Sequence, residues 1–207
     1  MSLNINRRDL LRAMPGGVAI LATLDGWILD LGAQEDSQEN LIDIRIVNTY
    51  RIGRWYFDPV GVYLKPGQKV RWICTKWGGS VTAFHPSHLN HELRIPQSAE
   101  PFDSGRLIQG DTPRARFEWV FEEEGTYDYF SRHHENLGAV GRIVVGSPGG
   151  PGEKPAGYGA SEGRAPVYED VKKLLSWLDS DKILQEQIVP YPMNLLERTF
   201  PLQESNF

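Results

Sequence analysis

Residues 125–145 have the sequence GTYDYFSRHHENLGAVGRIVV, which predicts a strand, a loop and a second strand. Residues 126–130 alternate in character and are rich in aromatic side chains, as expected of a half-buried strand. Residues 142–145 contain β-branched side chains, which favour strands. The loop between them carries His133 and His134 together with two glycines. The loop is therefore the first candidate for a functional site.

Strand and turn patterns surround this segment. Residues 41–47 and 116–121 alternate between apolar and polar side chains. Within residues 57–72, the pair Pro66-Gly67 predicts a tight turn between two alternating strands. Roughly seven or eight short strands with turn signals between them predict an all-β protein with a Greek-key β-sandwich.

Several separated motifs, in this order, resemble those of the cupredoxins, the family of plastocyanin, pseudoazurin and halocyanin. They are the Phe-x-Pro and Lys-Pro-Gly run of residues 57–72, the SVTAFHP sequence of residues 80–86, the run from residue 93 to 105, and residues 125–145. The resemblance extends over residues 42–146. It implies a cupredoxin-like sandwich.

The same resemblance implies four positions for copper ligands. In the family, the strand before the loop ends in Tyr-x-Tyr-x-Cys, and the loop supplies Cys, His and Met. The corresponding residues here are Ser131, His134 and Ala139, and the resemblance places the upstream histidine at His85. The pattern of the loop is present, but the thiolate and the thioether are absent.

The chemistry of these residues argues against type 1 copper. A blue-copper site needs a Cys thiolate as its soft ligand, and the Ser131 hydroxyl is a hard donor. The single cysteine, Cys74, lies in an alternating strand pattern and is predicted to be buried. We therefore expect no cofactor, and we interpret His85, Ser131, His134 and Ala139 as vestigial ligand positions.

The histidines leave a second interpretation open. All five lie in the two loops that the cupredoxin fold would bring to one end: His85, His88, His91, His133 and His134. Imidazole groups suit Cu(II) and Zn(II). The alternative is therefore a type 2 copper or zinc site formed by His85 and His134 with His88, His91 or His133.

The composition shifts along the chain predict four regions. Residues 1–35 carry Arg7-Arg8 before an apolar stretch, which resembles a Tat export signal or an uncleaved segment that docks on a membrane surface or a partner. Residues 36–146 form the cupredoxin-like domain. Residues 147–166 are rich in glycine and proline and predict either a linker or a chain that lies over another surface. Residues 167–207 predict short helices that pack on the sandwich or bind another subunit.

The composition excludes some functions and leads to one prediction. The net charge of −5 provides no basic face for nucleic acid, and one cysteine allows no intrachain disulfide.

We predict a non-catalytic, structural subunit of a respiratory or photosynthetic electron-transfer complex. It would lie on the periplasmic side of a membrane and contact protein subunits through its N-terminal segment and residues 147–207. The alternative is a periplasmic metal-binding or electron-transfer protein.

Overall fold

The structure is a computed structural model that describes residues 41–49, 53–110 and 112–195. The predicted export or docking segment, residues 1–35, lies outside the described residues. The end of the predicted helical extension, residues 196–207, also lies outside them.

The first sheet has four strands: β1 (Leu41–Thr49), β2 (Arg54–Asp58), β4 (Gln68–Cys74) and β8 (Arg116–Phe121). Their order in the sheet is β2-β1-β4-β8. β1 runs parallel to β4 and antiparallel to β2, while β4 and β8 are antiparallel. The alternating patterns predicted for these stretches are present as strands.

The second sheet has five strands: β3 (Gly61–Leu64), β6 (Thr82–Ala83), β9 (Gly125–Phe130), β10 (Val140–Val145) and β11 (Ile188–Val189). Their order in the sheet is β11-β3-β10-β9-β6. A separate two-stranded ladder joins β5 (Gly78–Gly79) to β7 (Leu107–Ile108). The segment that opened the sequence analysis is thus the antiparallel pair β9 and β10.

The core between the two sheets is built from alternate residues of their strands. Trp72 is fully buried, and its ring packs against Phe102, Phe121 and Tyr129. The same cluster includes Ile44 of β1 and Ile143 of β10. Burial of a large apolar side chain contributes roughly 1.5–3 kcal/mol. The period-two pattern of the sequence therefore corresponds to the inner faces of a β-sandwich, and the predicted fold class is confirmed.

The predicted turn at Pro66-Gly67 joins β3 to β4. The Gln68 amide donates to the Lys65 carbonyl across 3.1 Å, and Gly67 has a φ of +84°. A type II turn requires a positive φ at its third residue, which glycine adopts without steric cost.

Residues 147–166, for which the composition left two interpretations open, lie against the sandwich. Gly152 and Gly159 are buried, and the Glu92 carboxylate accepts hydrogen bonds from the Gly157 and Gly159 amides. The Thr126 amide of β9 donates to the Gly149 carbonyl across 3.0 Å. Because backbone groups of the segment find their partners in the sandwich, these contacts correspond to a chain that lies over another surface.

The helices α1 (Glu169–Trp177) and α2 (Ser180–Glu186) cover the outer face of the second sheet. Val171, Leu174 and Ile183 are fully buried there with Phe130 and Val144 of the sheet. After α2, strand β11 pairs with β3 and extends the sheet. Residues 167–195 therefore pack on the sandwich, one of the two roles considered for this region. No helix in the described part of the chain is long and apolar enough to cross a membrane.

Candidate functional site

The loop between β9 and β10 is held in a defined shape by its own backbone. The Ser131 amide donates to the Ala139 carbonyl across 3.0 Å, which continues the β9–β10 pairing into the loop. A short 3₁₀ helix, Glu135–Leu137, then ends at Gly138, whose φ is 77°. Glycine suits this left-handed conformation because it has no Cβ. The loop therefore places Ser131 opposite Ala139.

The Ser131 side chain is buried and hydrogen-bonded. Its residue is 1% exposed, and its Oγ accepts a hydrogen bond from the Ser80 amide across 3.2 Å. The Oγ also lies 3.3 Å from Nδ1 of His134. The Arg132 amide donates in return to the Ser80 hydroxyl across 2.8 Å. These bonds join the loop to the start of the residue 80–86 motif, a contact that the sequence does not indicate.

The His134 ring is fixed between Ser131 and an aromatic side chain. It stacks on Trp55 of β2 with a centroid distance of 5.0 Å and an interplanar angle of 12°. Burial, with a smaller contribution from His133, lowers the pKa of His134 to about 4. The imidazole is therefore neutral near pH 7. His133 is exposed, and its ring centroid lies 6.3 Å from that of His134.

Gly79 faces the same site. A Cβ at this position would lie 3.6 Å from Ser131 Oγ and 3.0 Å from Cγ2 of Ile46. A side chain at residue 79 would therefore point toward Ser131, and the glycine leaves that space open. The sequence carries no signal for Gly79. Only the pairing of Thr82 with Phe130 shows which residues of the upstream segment lie beside Ser131.

His85 is not brought to Ser131 by this register. The Phe84 amide donates to the Asp128 carbonyl, three residues before Ser131. Three strand residues correspond to about 10 Å. His85 instead hydrogen-bonds to Ser87 through Nδ1, with a distance of 2.7 Å to the Ser87 hydroxyl. Burial, and secondarily the neighbouring His88, lowers the pKa of His85.

The remaining histidines also have separate partners. His88 Nδ1 lies 3.0 Å from the Ala83 carbonyl oxygen. His91 Nε2 lies 3.1 Å from Oε2 of Glu135, and both side chains are almost fully buried. This pair joins the loop of residues 85–91 to the loop after β9. Across the described ranges, no group of three or more His, Cys, Asp or Glu side chains is arranged to hold a metal ion.

The side chains of the site do not fit type 1 copper. Ser131 offers a hydroxyl in place of a thiolate, Ala139 offers a methyl group in place of a thioether, and Gly79 offers no side chain at all. A copper ion that cycles between Cu(II) and Cu(I) needs the soft sulfur ligands. Only His134 of the implied ligand set presents a metal-binding group beside Ser131.

A pocket of about 470 Å³ opens beside His134. Two indoles, two imidazoles and one guanidinium contribute to its wall, and Gly78 and Gly79 form a stretch without side chains. The pocket is lined by Asn48, Trp55, Trp77, Gly78, Gly79, Arg106, His133 and His134. The sequence did not indicate Asn48 or Arg106 as site residues, because their proximity to His134 depends on the pairing of strands that are distant in the chain.

Comparison with solved structures identifies the fold. Pseudoazurin from Methylobacterium extorquens AM1 is similar at 21% sequence identity, over 69% of this chain and 98% of that chain, with a TM-score of 0.51. A purple cupredoxin from Nitrosopumilus maritimus matches at 26% identity over 51% of this chain and 99% of that chain, with a TM-score of 0.38. Plastocyanin from Dryopteris crassirhizoma matches at 16% identity over 50% and 99% of the two chains, with a TM-score of 0.38. No protein-family model matches the sequence.

The protein therefore has a cupredoxin-like β-sandwich fold. This result agrees with the motifs of residues 57–72 and 125–145. The likeness concerns the fold alone, and the function has to be argued from the site.

Proposed function

We propose that the protein is a non-catalytic, cupredoxin-like subunit that does not use type 1 copper and acts by binding other proteins. The observation that carries this proposal is the state of Ser131. Its hydroxyl is buried and accepts the Ser80 amide, so the loop retains a fixed shape while lacking the thiolate that copper requires.

The proposed partner is a subunit of a respiratory or photosynthetic electron-transfer complex, on the periplasmic side of a membrane. The resemblance to cupredoxins motivates this choice, since these proteins dock on such complexes by the end that carries the copper loop. Trp77 is 66% exposed and precedes Gly78, which pairs with the partly exposed Ile108. Exposed aromatic and aliphatic side chains of this kind suit the centre of a protein interface.

The N-terminal segment supports an association with the membrane. Arg7, Arg8 and Arg12 precede the apolar stretch of residues 18–31, a pattern suited to an export signal or to a membrane surface. In the proposal, this segment and the outer surface of residues 147–207 provide further contacts with the complex.

Fractionation of native membranes tests the partner proposal. We expect the full chain to sediment with the membranes and to be recovered, after mild solubilisation and chemical cross-linking, with a defined protein neighbour. Trp77→Ser should reduce the cross-linked product, while Val120→Ser, a matched change at an exposed site on β8, should not. Recovery of the protein only as an uncross-linked soluble species would refute the proposal.

His134 favours one alternative, a type 2 copper or zinc site in a periplasmic metal-binding protein. Its neutral imidazole at pH 7 is a competent ligand. Metal analysis of protein purified in the presence of copper or zinc distinguishes the two functions. Stoichiometric metal that is lost in a His85→Ala/His134→Ala variant would support the metal site and contradict the metal-free subunit.

A further inference from the structure

Apart from Trp77 and Gly78, which the proposed function places at a protein interface, the pocket beside His134 contains groups that the proposed function does not use. Its volume of about 470 Å³ lies within the range of roughly 300–1,000 Å³ that is typical of small-molecule sites. It is open to solvent at the end of the sandwich where the loop after β9 meets the β5 segment.

The walls of the pocket suit a flat aromatic ring. Trp55 is held in place by its stacking on His134, and Trp77 presents a largely exposed indole. Between these elements, Gly78 and Gly79 leave bare backbone. A Cβ at Gly78 would come within 3.0 Å of the Leu107 carbonyl oxygen, so the backbone there packs too closely for a side chain. Aromatic faces and bare backbone together form a surface for ring stacking.

The charge of the pocket favours an anion. Arg106 is exposed and has no ion-pair partner within residues 41–49, 53–110 and 112–195. None of the lining residues that the structure describes is acidic. A guanidinium group binds a carboxylate through charge-assisted hydrogen bonds.

We propose that this pocket is a binding site for a planar aromatic anion, such as an aromatic carboxylate. The ring stacks on the indole wall, and the carboxylate pairs with Arg106. The site goes beyond the proposed subunit role and is tested on the isolated full-length protein.

Isothermal titration calorimetry with three probes tests the site. Indole-2-carboxylate carries the ring and the charge, whereas neutral indole lacks the charge and acetate lacks the ring. We expect one-to-one binding of indole-2-carboxylate with a dissociation constant on the order of 0.1 mM. Both other probes should bind more weakly.

Variants assign the binding to this pocket. Arg106→Gln should weaken binding of indole-2-carboxylate about tenfold and leave binding of indole unchanged. Arg114→Gln, an exposed arginine outside the pocket lining, is the matched control. Trp77→Ser should weaken binding of both indole-2-carboxylate and indole, because it removes one aromatic wall of the pocket.

Two outcomes overturn the proposal. One is the absence of saturable binding of indole-2-carboxylate to the full chain. The other is equal binding by the wild-type protein and Arg106→Gln, which would place the probe elsewhere on the surface.

Discussion

The Ser131 hydroxyl accepts a hydrogen bond from the Ser80 amide at the point where the cupredoxin pattern has a cysteine. The same backbone pairing would support a sulfur atom, since the Ser131 amide and the Ala139 carbonyl hold the loop without help from either side chain. At the residue scale, the backbone of the loop is thus fixed independently of the Ser131 and Ala139 side chains, which differ from the Cys and Met of the cupredoxin pattern.

Introducing the copper ligands Cys, Met and His into the loop region tests whether residue 79 or residue 85 is the upstream ligand position. We expect the triple variant Gly79→His/Ser131→Cys/Ala139→Met, loaded with Cu(II), to show the intense visible absorption of a copper–thiolate bond. A side chain from residue 79 points toward Ser131 at a Cβ distance of 3.6 Å. The new Cβ requires the Ile46 methyl group, at 3.0 Å, to move slightly.

The double variant Ser131→Cys/Ala139→Met is the matched control, because it retains Gly79 and His85. If His85 were the upstream ligand, the double variant would show the same absorption as the triple variant. We expect the absorption to be weak or absent in the double variant, since His85 leaves the sheet at the level of Asp128.

His134 predicts a pH dependence of stability. Its pKa in the folded protein is about 4, below the ordinary value of 6.5, mainly because of burial. The unfolded chain therefore binds more protons between these values, so stability is fully present above pH 6.5 and falls as the pH decreases toward 4. We expect His134→Gln to reduce the fall in Tm over this window. His133→Gln, which removes only the secondary electrostatic effect, should reduce it less; identical pH profiles for all three proteins would contradict the assignment.

At the element scale, a buried ionic cluster joins the C-terminal elements to the sandwich. Asp128 of β9 is fully buried and accepts hydrogen bonds from Arg94 and Arg142. Both arginines also donate to the Gly152 carbonyl, and Arg142 donates to the Leu178 carbonyl at the end of α1. The cluster therefore stabilises the region of residues 147–178 in its position on the second sheet.

Removal of one member of this cluster should be costly. We expect Arg142→Met to lower the free energy of unfolding by about 3–5 kcal/mol, because it removes one of the two arginines that balance the buried Asp128 carboxylate and takes away the side-chain donor to the Leu178 carbonyl. Lys182→Met, which breaks an i,i+4 pair with Glu186 on the surface of α2, should cost less than about 1 kcal/mol. Urea unfolding followed by circular dichroism measures both, and equal effects would refute a structural role for the cluster.

At the scale of the whole molecule, the second sheet is covered on both faces. One face packs on the first sheet through the cluster that contains Trp72, and the other packs on α1 and α2. The described part of the chain achieves this without a disulfide, since the single cysteine, Cys74, is buried and free.

Substitution of the arginine pair tests the predicted export. In a bacterium with a Tat pathway, we expect Arg7→Lys/Arg8→Lys to shift the full chain from the periplasmic or membrane fraction to the cytoplasmic fraction, because the signal is read by a receptor. Arg12→Lys is the control and should not change the distribution. Unchanged fractionation of the double variant would show that residues 7 and 8 are not an export signal.

The sequence by itself determined the strands and their inner faces, because a period of two and a Pro-Gly turn are local properties. The strands β9 and β10 illustrate this, and they also carry the resemblance that predicted the cupredoxin-like fold. The absence of a thiolate and a thioether at these two positions was likewise readable from Ser131 and Ala139 alone.

The tertiary structure decided which residues meet. Gly79 faces Ser131 and His85 does not, because that choice depends on the register between β6 and β9, whose residues are about 50 positions apart in the chain. Residues 147–166 have the composition of a linker, but the Glu92 carboxylate and the Arg142 guanidinium of the sandwich bind their backbone groups. Contacts of this kind are non-local, so no pattern within a single stretch of sequence could reveal them.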